Sequence, residues 1–470
     1  MSEQITVVAD ATAAPEPVRV SWIAELRATF ALAWPLVIAQ LAQNALATTD
    51  VIMLGWLGPS QLAAGTLATT FLMPFLVGGI GLVGAVAPLV AQARGARDTR
   101  SIRHIVRQGL WAAAILALVL TPIIWQIRPV FALLGQDPAA TLLAEEYIHV
   151  AIWLLFPALG IVAFRSLLAA FDATRVVLLI TVGGVVVNAL ANYGLIFGNW
   201  GLPRLELRGA ALATLLTNIV MFTAMAIFVL RHRRFRRLHL LHRLWAADWK
   251  RLGQIFRVGT PIGITVLAEV GLFTASALLM GRLGTDEVAA HAIALQCAST
   301  AFMVPLGLGT AATVRVGHAF GRGDPIGIAR SGWTAFGLGT GFMACSALVF
   351  LAFGPAIVTI FLDPDQPANH NALALAASFV AVAGLFQIVD GAQVVAAHAL
   401  RGLSDTKIPM VVAIIGYWLV GMPVAYLLGF TFDMRGVGIW IGLAVGLGFV
   451  AVVLVARFAM RERLGLLRPR

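Results

Sequence analysis

Charge is scarce in this chain. Only 12% of its 470 residues are Asp, Glu, Lys or Arg, whereas 60% are apolar. A soluble domain carries about twice that charged fraction, so lipid is the expected solvent for most of the chain. Cysteine is nearly absent: Cys297 and Cys345 each sit inside an apolar run. Two such residues exclude a disulfide framework or a cysteine-based zinc site and read as small core residues. No GxxxxGK[ST], HExxH or GxSxG occurs. Those gaps argue against ATP-driven transport by this chain alone and against an intramembrane hydrolase, so no enzymatic activity and no cofactor are expected. Residues 1–20 lack a basic stretch followed by an apolar core. They do not read as a cleavable signal peptide, and the first apolar segment is expected to serve as the insertion signal.

What is present is a series of twelve apolar segments, at 29–54, 62–92, 105–127, 141–164, 174–198, 208–230, 254–281, 288–317, 327–352, 372–398, 407–429 and 435–457. About 20 helical residues cross the hydrocarbon of a bilayer, so each is long enough to span it. The expected fold class is therefore all-α integral membrane. The formal net charge of +11 could indicate a nucleic-acid partner, but its distribution argues otherwise. Lys and Arg alternate between heavy and light gaps, 28 on one side against 5 on the other. That asymmetry predicts a multi-pass protein of the plasma membrane, the inner one in a Gram-negative source, with both termini cytoplasmic.

The chain also repeats itself. Residues 35–98 align without gaps on 261–324, with 19 identities in 64 positions. Pro35/Pro261, Gly81/Gly307, Gly95/Gly321 and Asp98/Asp324 are among them. Six segments separate the copies, so both insert in the same orientation and form a parallel repeat about an axis along the membrane normal. The expected organisation is a tail (1–28), an N-terminal lobe (29–230), a linker (231–253), a C-terminal lobe (254–457) and a basic tail (458–470). Two such lobes enclose a central cleft and can rock about it. The Arg-, Leu- and Trp-containing linker reads either as an interfacial helix or as a simple positive anchor.

Acidic groups inside spans are costly in lipid and mark cavities or ion paths. Glu269 lies near the middle of the seventh segment, Asp390 in the inner half of the tenth, and Asp50 in the outer part of the first. Asn188 and Asn192 are four apart on one face of the fifth. A low-dielectric cavity disfavours the charged carboxylate, so such a group can exchange a proton. It can equally take Na+, with help from Gln387, Gln393 or backbone oxygens. The same residues could instead serve as hydrogen-bonding links between helices. His149, His291 and His398 read as packed polar residues, and Pro35 and Pro261 as bending points or simple kinks. The stretch Gly79-Ile-Gly81-Leu-Val-Gly84 spells GxGxxG, but no strand precedes it, so it reads as close helix packing.

Several stretches, in order, are similar to the multidrug and toxic compound extrusion (MATE) family and its NorM-like branch. They are Trp34-Pro35 through Gln40, Thr49-Asp50 through Gly55, Pro88 through Gln92, and Arg107-Gln108-Gly109. In the second half they are Gly259-Thr-Pro261-Ile-Gly263 followed by Glu269, Gln387 through Asp390, Ala399-Leu-Arg401-Gly402 and Asp405-Thr406. The resemblance implies a twelve-helix exporter that exchanges Na+ or H+ for cationic, amphiphilic compounds. It implies cation coupling at Glu269 and Asp390, and a polar cluster of Asp50, Asn188 and Asn192 for cation, proton or substrate. Two departures stand out. Asn192 is an amide where some relatives carry an acid, which favours the C-lobe pair, and Phe386 lacks the hydroxyl of some relatives' tyrosine. The expected partners are small organic cations and membrane lipids, with no nucleic acid, and the expected state is a monomer. A flippase for lipid-linked precursors is the alternative, disfavoured because the charges within the spans are acidic.

Overall fold

The computed structural model describes residues 21–240, 245–366 and 369–467. The expectations for residues 1–20, for Arg243 in the linker and for the last three residues lie outside them. Among the described residues, twelve helices are long and apolar enough to cross a membrane: α1 (Trp22–Leu57), α2 (Pro59–Gly95), α3 (Thr99–Trp125), α4 (Pro138–Ala170), α5 (Thr174–Phe197), α6 (Glu206–Arg231), α7 (Trp249–Gly281), α8 (Thr285–Gly321), α9 (Pro325–Val358), α10 (His370–Gly402), α11 (Lys407–Thr431) and α12 (Arg435–Ala459). No strand occurs among the described residues. Each helix covers one of the twelve expected segments, and most run several residues past it. Polar first turns extend them. Asp98 accepts from the Ser101 amide at the start of α3, Asp248 from Arg251 at α7, and Asp324 from Gly327 at α9. These side chains satisfy donors that the first helical turn leaves free.

The extra length takes many of the basic residues assigned to gaps into the helices, Arg94, Arg103, Arg107 and Arg257 among them. Arg165, Arg315 and Arg401 stand inside α4, α8 and α10. Arg165 donates to the Gln40 and Gln43 side chains of α1. The asymmetry stands, because helix ends that reach past the hydrocarbon keep these charges on the side to which they were counted. The outer surface is apolar: Leu118, Leu179, Leu278 and Val452 are each 70% exposed or more. Such a surface is stable facing lipid tails and not water.

The two lobes, α1–α6 and α7–α12, meet where the repeat predicts equivalence. A Cβ at Gly95 would lie 2.2 Å from the His318 carbonyl oxygen, and one at Gly321 would lie 2.0 Å from that of Gln92. These repeat-equivalent glycines let α2 and α8 cross backbone to backbone. Gly81 likewise packs on Gly263 of α7, while its equivalent Gly307 packs on Val37 of α1, the residue equivalent to Gly263. Two glycines of the GxGxxG stretch are therefore helix-packing positions, Gly81 on Gly263 and Gly79 on Leu159 of α4. The symmetry breaks at Pro88. Lacking an N–H and clashing with the preceding turn, it leaves α2 in two pieces, Pro59–Val83 and Val86–Gly95, where α8 is continuous. In α11, segments Ile415–Gly421 and Leu427–Thr431 widen to π-helix on either side of Pro423. Gly416 and Gly421 there press against Gly446 of α12.

Candidate functional site

Two polar clusters form, one in each lobe. In the N-lobe, Asp50 of α1 accepts from Asn192 Nδ2 at 2.6 Å and from Thr214 Oγ1 of α6 at 3.0 Å. Asn192 also donates to Asn188 Oδ1 at 3.1 Å. The i,i+4 spacing puts both amides on one face of α5, and both are fully buried. Asn188 Nδ2 and Asn192 Oδ1 find no partner among the described residues. The cluster thus joins all three residues expected from the sequence and adds Thr214, one of several threonines in α6 that no spacing singled out. Its carboxylate, amide and hydroxyl oxygens suit a hard cation in donor type.

In the C-lobe, Glu269 of α7 and Asp390 of α10 line one cleft of about 450 Å³ between α7, α8 and α10. Its other walls are mostly apolar and include Phe273, Phe302 and Phe386. Gln393 Nε2 donates to Glu269 at 3.2 Å, and the Tyr417 hydroxyl donates to Gln393 Oε1 at 2.7 Å. Tyr417 reaches inward from the first π-helical segment of α11 and is fully buried. A π turn shifts helical register, so the 3.6-residue period of the sequence gives no sign of it. Asp390 Oδ1 has no partner among the described residues. Gln387 accepts from Ser346 of α9 at 3.0 Å and so reaches the neighbouring helix. Phe386 meets Phe273 and Trp440 edge-on, its ring filling the wall where no hydroxyl is supplied.

Glu269 also lines a second, small cavity of about 20 Å³, bounded by Gln393, Arg401 and Tyr417. That is room for one water. Glu269 therefore borders both the cleft and this cavity. No group of three or more His, Cys, Asp or Glu that could hold a metal occurs among the described residues. A cation at Glu269 and Asp390 would need amide, hydroxyl or water oxygens as well, and Gln393 is the amide in reach. The histidines differ: His149 and His398 have polar contacts, whereas both ring nitrogens of buried His291 lack a hydrogen-bond partner among the described residues. His149 stacks on Trp125, His291 lies against Trp440, and His398 contacts the Val394 carbonyl and Arg401.

Twelve spans in two pseudo-equivalent lobes, each with a buried acidic cluster, define a polytopic membrane protein of the transporter type. Comparison with known proteins gives the family. The MatE family model matches the chain twice, at residues 35–194 and 261–427, and so reproduces the offset of the internal repeat. The chain belongs to the MatE family. It is 45% identical over 439 residues to the probable multidrug resistance protein NorM of Brucella suis, covering 93% of each chain. The probable NorM of Mesorhizobium japonicum is 45% identical over 446 residues, covering 94% of this chain and 95% of that one. The multidrug resistance protein NorM of Burkholderia vietnamiensis is 42% identical over 448, again covering 94% and 95%. Among solved structures, the eukaryotic MATE transporter AtDTX14 superposes with a TM-score of 0.83 at 22% identity, covering 95% of this chain and 99% of that one. An outward-facing multidrug resistance MATE transporter gives 0.84 at 22%, covering 95% and 97%. At that identity the likeness establishes the fold.

Proposed function

We propose that this protein is a secondary active multidrug efflux antiporter that exchanges Na+ or H+ for cationic, amphiphilic compounds by alternating access. The observation that carries the reading is the pair Glu269 and Asp390 on the wall of an otherwise mostly apolar cleft. Aromatic and aliphatic walls accept many apolar shapes without fixed hydrogen bonds. Among the described residues that line it, these two acidic groups are the charged ones, which suits either an inorganic cation or an organic one. Mutual exclusion of the two at one site is the simplest form of antiport. The N-lobe cluster of Asp50, Asn188, Asn192 and Thr214 is a second place for a cation, a proton or part of the substrate. NorM relatives that carry multidrug resistance in their names support this reading.

The hydrogen bonds that tie the lobes together lie at the end bearing the basic loops. Gln92 donates to the Gly402 carbonyl and to Ser404, Arg251 to Ser101, and Arg315 to Glu25. With the termini in the cytoplasm, these contacts close the lobes on the inner side. The protein works as a monomer in the plasma membrane and carries out no covalent chemistry.

The test is efflux of a fluorescent organic cation from proteoliposomes, with pH and Na+ gradients imposed separately. One gradient drives export in the wild type, and Glu269→Gln reduces it to the protein-free background. Failure of both gradients to move the dye through folded protein would overturn the reading, and transfer of a labelled lipid in the same vesicles would favour the flippase.

A further inference from the structure

Away from both polar clusters, the N-lobe carries a groove of about 530 Å³ on its outer surface. Its walls are Leu110 and Ala114 of α3 and Phe222 and Ala226 of α6, and its floor is Phe156 and Phe164 of α4. The floor is preformed. Phe222 lies over Gly160, whose Cβ position would fall 2.4 Å from the ring, and is held between Phe156 at 5.5 Å and Phe164 at 5.4 Å. The groove extends from Phe222 to Leu230 along α6, about 12 Å at 1.5 Å per residue. That is most of one leaflet of a hydrocarbon core about 30 Å thick. Leu118 on the same helix α3 and Ile227 on α6 are exposed apolar neighbours, so this surface faces lipid.

The groove reaches the basic end of the molecule and stops under Leu240 and Trp245 of the linker. Exposed Arg231, Arg233, Arg236 and Arg237 gather beside it. Their short helix, Arg233–Arg236, is pinned by buried Phe235 and by Arg234, which donates to the Phe171 carbonyl at 2.9 Å. No Asp or Glu occurs from residue 207 to residue 247. Asp172, next to the Phe171 that Arg234 contacts, is paired with Arg94 at 2.8 Å, so the net field over the exposed arginines repels an organic cation and attracts an anionic headgroup.

We propose that the groove is a binding site for an anionic glycerophospholipid of the leaflet at the basic end, with an acyl chain between α3 and α6 and its phosphate on the arginines of residues 231–237. The site lies outside the transport cleft and does not depend on what the protein exports.

The experiment is native mass spectrometry of the full chain in detergent with dioleoyl phosphatidylglycerol or dioleoyl phosphatidylcholine, alongside thermal melting with each lipid. The wild type retains one phosphatidylglycerol in preference to phosphatidylcholine and melts higher with it. Arg231→Ser with Arg233→Ser weakens phosphatidylglycerol by on the order of tenfold or more, from about fivefold per arginine. Ala226→Trp fills the groove and abolishes retention. Ala114→Trp does the same from the opposite wall, so loss in both with melting of the lipid-free protein unchanged is not misfolding. Equal retention of the two lipids would overturn the proposal, as would undiminished phosphatidylglycerol in both tryptophan variants. Displacement of the bound lipid by a fluorescent organic cation at equal concentration would also overturn it and make the groove a substrate portal.

Discussion

Single residues act here through the hydrogen bonds they complete. Asp98 begins α3, and the Ser101 hydroxyl and backbone N–H hold its carboxyl below the usual range. A group whose folded pKa is depressed stabilises fully above its unfolded value, about 3.9, and loses that contribution as pH falls through the folded value. Asp98→Ala should therefore cost about 1 kcal/mol at pH 7, and the gap between the variant and wild-type melting temperatures should narrow as the pH is lowered below about 3.9. A gap that stays constant through acid titration would mean that the cap is not the cause. Tyr417→Phe tests the C-lobe in the same way. Losing the hydroxyl leaves Gln393 Oε1 buried without its donor, a cost of about 1–3 kcal/mol. Gln393 is then free to turn from Glu269, so coupled efflux should fall while dye binding in detergent persists. Unchanged efflux would leave Tyr417 a packing residue only. These residues also mark how far the sequence could be read. Asp50, Asn188 and Asn192 were legible because polar groups in apolar runs are anomalous, and four-residue spacing joins two of them. Thr214 and Tyr417 were not, because a hydroxyl that bonds across helices looks in sequence like one that bonds within its own.

At the scale of the element, the apolar runs marked every span, because about 20 residues without charge have few other uses. The ends were less legible. Arg165, Arg315 and Arg401 stand within helices because each finds a partner there, Arg165 with Gln40, Arg315 with Glu25 and Arg401 with His398. Charge alone does not mark a membrane boundary when a side chain is paired inside the protein. The repeat also meant more than common descent. Gly95 and Gly321 coincide in the alignment because each occupies the half of one crossing where a backbone needs the other's missing side chain. Gly321→Ala places a methyl 2.0 Å from the Gln92 carbonyl oxygen, and no rotamer relieves a backbone overlap. The α2–α8 crossing must open, so this variant should lose transport, and a cysteine introduced for Ser404, which Gln92 contacts at the basic end, in a background lacking Cys297 and Cys345, should become more accessible to thiol reagents. Ala at Gly323, where a Cβ meets nothing within 4 Å, is the control for general damage, although its positive φ adds local strain. Wild-type efflux from Gly321→Ala would show that the crossing is looser than its packing implies.

The whole molecule is held in its observed conformer by one end. Glu25 of α1 is buried and accepts two hydrogen bonds from Arg315 of α8, at 3.0 and 2.5 Å, and a third from Ser331 of α9 at 2.8 Å. Its carboxylate therefore binds the N-lobe to two helices of the C-lobe. When the lobes rock, this group must part, and its carboxylate and guanidinium must find water at the moment the basic end opens. Hydration then offsets much of the lost pairing, which makes the contact a latch and not a lock. Removing one partner takes away the pairing in the closed state without changing the open one. Glu25→Gln should shift the balance toward the conformer open at the basic end by about 2 kcal/mol, on the order of thirtyfold. Spin labels at exposed positions 100 and 326, in a variant lacking Cys297 and Cys345, would report this as a longer distance population. Arg315→Gln should shift it the same way, and the double variant little further, because both act through one interaction. Additive shifts would mean that the two residues stabilise the closed end separately, and an unchanged distance distribution in either single variant would remove the latch from the transport cycle.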